Sequence, residues 1–142
     1  VSDYPYDDVK DFHLKFGVPT DEDCKGPHLL DPETQEYRDG FLQEELNEFR
    51  TSYEENDLAT ALDSLIDLVY VAYGTALLMG VSPSCWEELW NEVQRANMSK
   101  ERATSAADSR SKRKNALDVV KPAGWRGPEH EPIIARHTDQ DA

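Results

Sequence analysis

The stretch "DLATALDSLIDLVYVAYGTALLMG", residues 57–80, constrains the fold more than any other part of the chain. Asp57 or Asn56 can cap its start and Gly80 can stop it, so the run reads as one long helix. Its second half is apolar nearly all round, and in a water-soluble protein such a helix must be covered on most sides. The covering elements have to be helices too. Alternating valine- and tyrosine-rich runs of the kind a β-sandwich needs are absent, and 31% of the residues are charged. An all-α helical bundle follows, and 142 residues suffice for one such core.

Three further helices can be placed around it. "DDVKDFHLKFG" carries Val9, Phe12 and Phe16 at helical spacing, with Gly17 to end it and Pro19 beyond. After a polar, turn-rich connector, Asp31 and Pro32 open a second helix along whose apolar stripe Leu42, Leu46, Phe49 and Tyr53 are expected. "SPSCWEELWNEVQRANMSK" suggests a capping box, Ser84 with Glu87, before a stripe of Trp86, Leu89, Trp90 and Val93. Beyond about Ala103 the periodicity stops. The expected organisation is a helical catalytic domain over 1–103 and an irregular C-terminal arm over 104–142.

The carboxylates carry the chemistry. Asp67 sits among Leu65, Ile66, Leu68 and Val69, and a buried carboxylate without compensation costs several kcal/mol. Asp63 lies one turn before it on the same face. On the preceding helix, "LQEELNEF" sets Glu45 and Glu48 on one flank of the apolar stripe, with Glu44 further round. Arg38 and Arg50 are the only basic residues on these two helices, too few to neutralise five acids. An oxygen-only cage for Mg²⁺ or Mn²⁺ is the better account. Di-iron chemistry is excluded, since none of His13, His28, His130 or His137 follows a glutamate at the Glu-x-x-His spacing. A net charge of −14 argues against a nucleic-acid or anionic-membrane surface, and bound cations would let a phosphate substrate approach despite it. Hydrolysis of a phosphoric anhydride is the reaction class this suggests. Cys24 and Cys85 match no zinc or disulfide framework, and no signal-like n- and h-regions open the chain; a cytoplasmic location is expected.

Taken in order, "EELNEF", "DSLIDLVYVAYGTALLMG", "NEVQRANMSK" and "KPAGW" resemble the MazG-like all-α nucleoside triphosphate pyrophosphatases related to phosphoribosyl-ATP pyrophosphohydrolase. The resemblance is to phage-type members, the MazZ-type dGTP/GTP diphosphohydrolases among them. It implies an all-α, four-helix MazG-like bundle core in a homodimer or homotetramer that converts a nucleoside triphosphate to the monophosphate and pyrophosphate with two or more Mg²⁺ or Mn²⁺ ions. By motif, Glu44, Glu45, Glu48 and Asp67 are the catalytic, metal-binding set. Where the family has a glutamate three residues before the closing aspartate this chain has Ser64, so Asp63 takes that ligand's role. Substrate contacts implied by the resemblance are His13 and Phe16 at the nucleoside end, Asn97 and Lys100 at the phosphates, and Trp125 over the base. Guanine in a 2-aminoadenine pathway of a phage, in the host cytoplasm, is the leading substrate, with a house-cleaning dCTP, dUTP or dATP pyrophosphatase as alternative. The rival of another class is a non-catalytic acidic helical interaction protein.

Overall fold

The computed structural model describes residues 4–138. In chain order these form α1 (Pro5–Phe16), a 3₁₀ turn (Asp21–Asp23), α2 (Pro32–Glu54), α3 (Leu58–Leu78), α4 (Pro83–Met98), β1 (Glu101–Arg102), β2 (Val119–Val120) and α5 (Glu131–Arg136). With 60% helix and only a two-residue strand pair, the fold is all-α. The chain divides into two compact units: residues 4–83 with 137 and 138, and Ser84–Arg136. This division falls at Pro83, not at the boundary expected near 103. The first three and last four residues of the expected domain ranges lie outside the described residues.

Local chemistry sets the helix ends of the first unit. Asp31 accepts a hydrogen bond from the Thr34 N–H at 2.9 Å with Pro32 in the first turn, and Asp57 does the same for Thr60 at 3.0 Å. Gly17 closes α1 in the left-handed region, φ 69°, where a side chain is strained. Gly80, φ 79°, ends α3, and a Cβ there would lie 2.3 Å from the Gly26 carbonyl oxygen.

The first unit's core lies along α3, where α1 and α2 pack. Tyr6, Val9, Val71, Ala76, Leu77 and Val81 are buried. Tyr6 donates its hydroxyl to the Val81 carbonyl at 2.7 Å and meets Tyr73 edge-on at 5.3 Å, which satisfies the one polar atom its burial would strand. The buried face of α1 is therefore Tyr6, Val9 and His13, and the expected Phe12 and Phe16 are 45% and 60% exposed. Tyr53 leaves the expected α2 stripe as well, being 85% exposed in the last turn, where Ser52 takes the buried position. α3 is long and apolar enough to cross a bilayer, a test that core helices of bundles also pass. Only 28% of its most apolar window is buried, and Leu58, Leu62, Leu65, Ile66 and Val69 are exposed.

Pro83 begins α4, so Ser84, the first residue of the second unit, stands inside the helix and not at its cap. The segment after Ala103 is mostly turns and irregular chain, apart from β2 and α5, and it is held by specific bonds. β1 and β2 pair antiparallel with Glu101 opposite Val120 and Arg102 opposite Val119. The Ala103 N–H donates to the Asp118 carbonyl at 2.8 Å, and Trp125 donates its indole N–H to the Ala96 carbonyl at 2.8 Å. Ala103, Asp108, Ser111, Asp118, Val120 and Ile133 are all buried. The order comes from short-range bonds of Asp, Ser and Thr to nearby backbone, which leave no hydrophobic period to read.

Candidate functional site

The acidic site is built from the facing sides of α2 and α3. Glu45 and Asp67 are half-buried, whereas Glu44, Glu48 and Asp63 are exposed. Burial pushes the Glu45 carboxyl up, and the charges of Asp67, Glu48 and Glu44 push it further, with a hydrogen bond shared with Glu48. Asp67 is raised in the same way, by burial first and then by Asp63 and Glu48. These cross-helix couplings tie Glu45 and Glu48 to Asp67 and bring Asp63 in beside it. Ser64 is buried, its hydroxyl donating to the Thr60 carbonyl at 2.8 Å.

Among the described residues no lysine, arginine or histidine forms an ion pair with Glu44, Glu45, Glu48, Asp63 or Asp67. Arg38 is buried and turned elsewhere: Nη2 donates to the Val71 carbonyl at 2.9 Å and Nε to the Thr75 hydroxyl at 3.0 Å. Glu45 Oε2 is buried without a hydrogen-bond partner. An orphaned carboxylate oxygen among like charges is costly, and an all-oxygen donor set suits a hard divalent cation. Among the described residues no three Asp, Glu, His or Cys side chains already converge on one point. The acids are gathered in one neighbourhood but do not form a closed cage.

A cavity of about 520 Å³ lies in the same unit, lined among others by Phe12, His13, Tyr37, Arg38, Phe41 and Tyr70. That volume is in the range of about 300–1,000 Å³ usual for small-molecule sites. His13 Nδ1 lies 2.9 Å from the Pro19 carbonyl oxygen, which only accepts, so the proton sits on Nδ1 and fixes the ring. Gly74 is what lets the ring and the guanidinium approach α3: a Cβ there would lie 2.7 Å from Arg38 Nη2 and 3.0 Å from His13 Nε2. Phe16 is not among the residues lining the cavity; its ring meets Phe12 at a tilt, centroids 4.8 Å apart, and Phe12 meets Tyr70 at right angles. Sequence reasoning passes over Tyr37, Arg38, Phe41 and Tyr70. The available signal was Tyr37 and Phe41 one turn apart with Arg38 between them, just ahead of the acidic run; the guanidinium lies 5.9 and 5.4 Å from the two rings.

Asn97, Lys100 and Trp125 belong to the second unit. Asn97 is exposed, and Lys100 and Lys121 hold their ammonium groups over the Trp125 ring at 5.3 and 5.0 Å. With its N–H on Ala96, Trp125 has both ring and polar edge engaged within its own unit. A separate cavity of about 480 Å³, lined by Trp86, Leu89, Trp90, Val93, His130 and Ile134, is apolar apart from the imidazole and gathers no convergent polar groups.

Fold and donor set together define an all-α protein that concentrates unpaired carboxylates between two helices. Residues 9–97 match the phosphoribosyl-ATP pyrophosphohydrolase family, and the chain belongs to it, within the MazG-like superfamily. Family members are pyrophosphohydrolases, which act on phosphoric anhydrides of nucleotides. No curated protein matches the chain.

Proposed function

We propose that this protein is a divalent-metal-dependent nucleoside triphosphate pyrophosphohydrolase, converting a (d)NTP and water to the (d)NMP and pyrophosphate. The observation that carries this reading is the cross-helix coupling of Glu45 and Glu48 with Asp67, which Asp63 adjoins on its own helix, unrelieved by any basic partner among the described residues. Glu45, Glu48 and Asp67 are the residues to hold Mg²⁺ or Mn²⁺, with Asp63 and Glu44 at the margin for a further ion. A bound divalent ion supplies positive charge against the phosphates and acidifies water. The carboxylates' part is to position that charge, and the aromatic cavity with its fixed His13 is the place for the nucleoside. The half-burial of Glu45 and Asp67 supports an enzyme over an acidic interaction module, whose carboxylates would face outward.

Guanine is the base we assign, dGTP or GTP in a phage nucleotide pool, on the resemblance to the phage-type branch. The exposed apolar side chains of α3 suit burial against a second copy in a homodimer or homotetramer. The test is a screen of all common ribo- and deoxyribonucleoside triphosphates with Mg²⁺ and product analysis. Pyrophosphate release is expected from the wild type and its loss from Asp67→Ala and Glu48→Ala, with helical content retained. Activity that persists in both variants sinks the site assignment, and release of orthophosphate alone sinks the reaction.

A further inference from the structure

The second unit concentrates positive charge around its strand pair. Residues 100–121 contain seven basic and three acidic residues, in a chain whose net charge is −14. Five of the seven, Lys100, Arg110, Lys112, Arg113 and Lys121, line one polar pocket of about 260 Å³ beside the β1–β2 pair. Cations gathered around a concavity repel one another, so the fold must hold them there.

The scaffolding is visible. Arg110 donates to Asp108 through Nε at 3.1 Å and Nη2 at 3.0 Å, and reaches Glu101 through Nη1 at 3.0 Å. Asp108 also accepts the backbone N–H of Thr104 and of Arg110, each at 3.0 Å; with the guanidinium these hold its carboxyl far below the usual range. Arg113 donates to Asp118 at 2.8 Å, and the buried Ser111 hydroxyl donates to the same carboxylate at 2.8 Å. Two buried carboxylates thus fix two arginines at the pocket. The lysines are placed by other means. Lys100 and Lys121 rest on opposing claims to one indole, and a ring face orients an ammonium without cancelling its charge. Lys100, Lys112 and Lys121 form no ion pair among the described residues.

We propose that this pocket is an anion site for a diphosphate group, with Lys112 and Lys121 supplying the uncompensated charge and Arg110 and Arg113 the oriented donors. Its volume is below the range of about 300–1,000 Å³ usual for drug-sized ligands, so it takes a phosphate chain and not a whole nucleotide. Lysines act on phosphate as point charges and arginines as planar forks, and the pocket holds both. The choice of diphosphate rests on the reaction proposed above, in which pyrophosphate is the departing product.

The experiment is calorimetric titration of sodium pyrophosphate into the full chain with EDTA present, so that the acidic site holds no cation. Wild-type protein is expected to bind, Lys112→Ala/Lys121→Ala to bind about tenfold more weakly or worse, and Lys114→Ala, outside the pocket lining, to bind as the wild type does. Equal weakening by Lys114→Ala, or no weakening by the double variant, overturns the pocket. Asp67→Asn separates the two readings: it should keep pyrophosphate affinity while losing turnover. Loss of affinity in Asp67→Asn overturns the pocket, whereas a wild type that binds pyrophosphate through Lys112 and Lys121 yet hydrolyses no nucleotide overturns only the reaction.

Discussion

Gly74→Ala tests the close approach on which the aromatic cavity depends. Gly74 lies inside α3, one turn before its end, where replacing glycine by alanine normally gains about 0.5–1 kcal/mol of helix stability. Here the new Cβ would meet Arg38 Nη2 at 2.7 Å and His13 Nε2 at 3.0 Å. Neither neighbour is free to yield. The guanidinium holds Val71 and Thr75, and the imidazole is anchored through Nδ1 on Pro19. Moving Arg38 sacrifices a charge-assisted bond worth about 1.5–3 kcal/mol, which exceeds the propensity gain. The expected net result is destabilisation by about 1–2 kcal/mol, read as a lower urea midpoint at unchanged slope. Gly40→Ala is the control: it sits in α2 with nothing within 4 Å of its Cβ, and should stabilise by about 0.5–1 kcal/mol. If Gly74→Ala proves as stabilising as Gly40→Ala, the packing of Arg38 and His13 against α3 is not as described.

Trp125→Phe keeps the ring but removes the indole N–H from Ala96 and weakens two cation–π contacts, a loss of about 1–2 kcal/mol expected in thermal denaturation. Asp108 and Asp118 titrate below their ordinary range, so their contribution is present above about pH 4 and lost as pH falls further. Melts in that acid range should fall more steeply for the wild type than for Asp108→Asn. Glu45 and Asp67 have the opposite sign: raised in the folded state, they cost stability as pH climbs through their folded values, so Glu45→Gln should flatten that loss in EDTA. Leu62→Glu, on the exposed face of α3, should shift the protein toward monomer in sedimentation if a second copy covers that face. An unchanged sedimentation coefficient would place any interface elsewhere.

Much of the first unit was legible because its signals are local. Asp31 with Pro32, and Asp57, fix where α2 and α3 begin, since a cap needs only its own helix's N–H groups. The i, i+4 spacing of Asp63 and Asp67 and the flank shared by Glu45 and Glu48 likewise follow from helical geometry. The rotation of α1 did not. Val9, Phe12 and Phe16 form a plausible apolar stripe, yet the buried face runs through Tyr6 and His13, because those polar atoms find the Val81 and Pro19 carbonyls. The second unit was hidden for a related reason: its order rests on bonds such as those of Asp108 and Asp118, which have no period.

The amino-acid sequence by itself determined an all-α chain, its main helices and a surplus of carboxylates on two of them, since propensity, capping and charge count are properties of short segments. Only the tertiary structure decided that Glu45 and Asp67 press on each other across two helices, that Arg38 is spent on α3 and not on the acids, and that five scattered basic residues line one pocket. These depend on which side chains satisfy one another's polar atoms once water is excluded, a matter of packing that no local pattern carries.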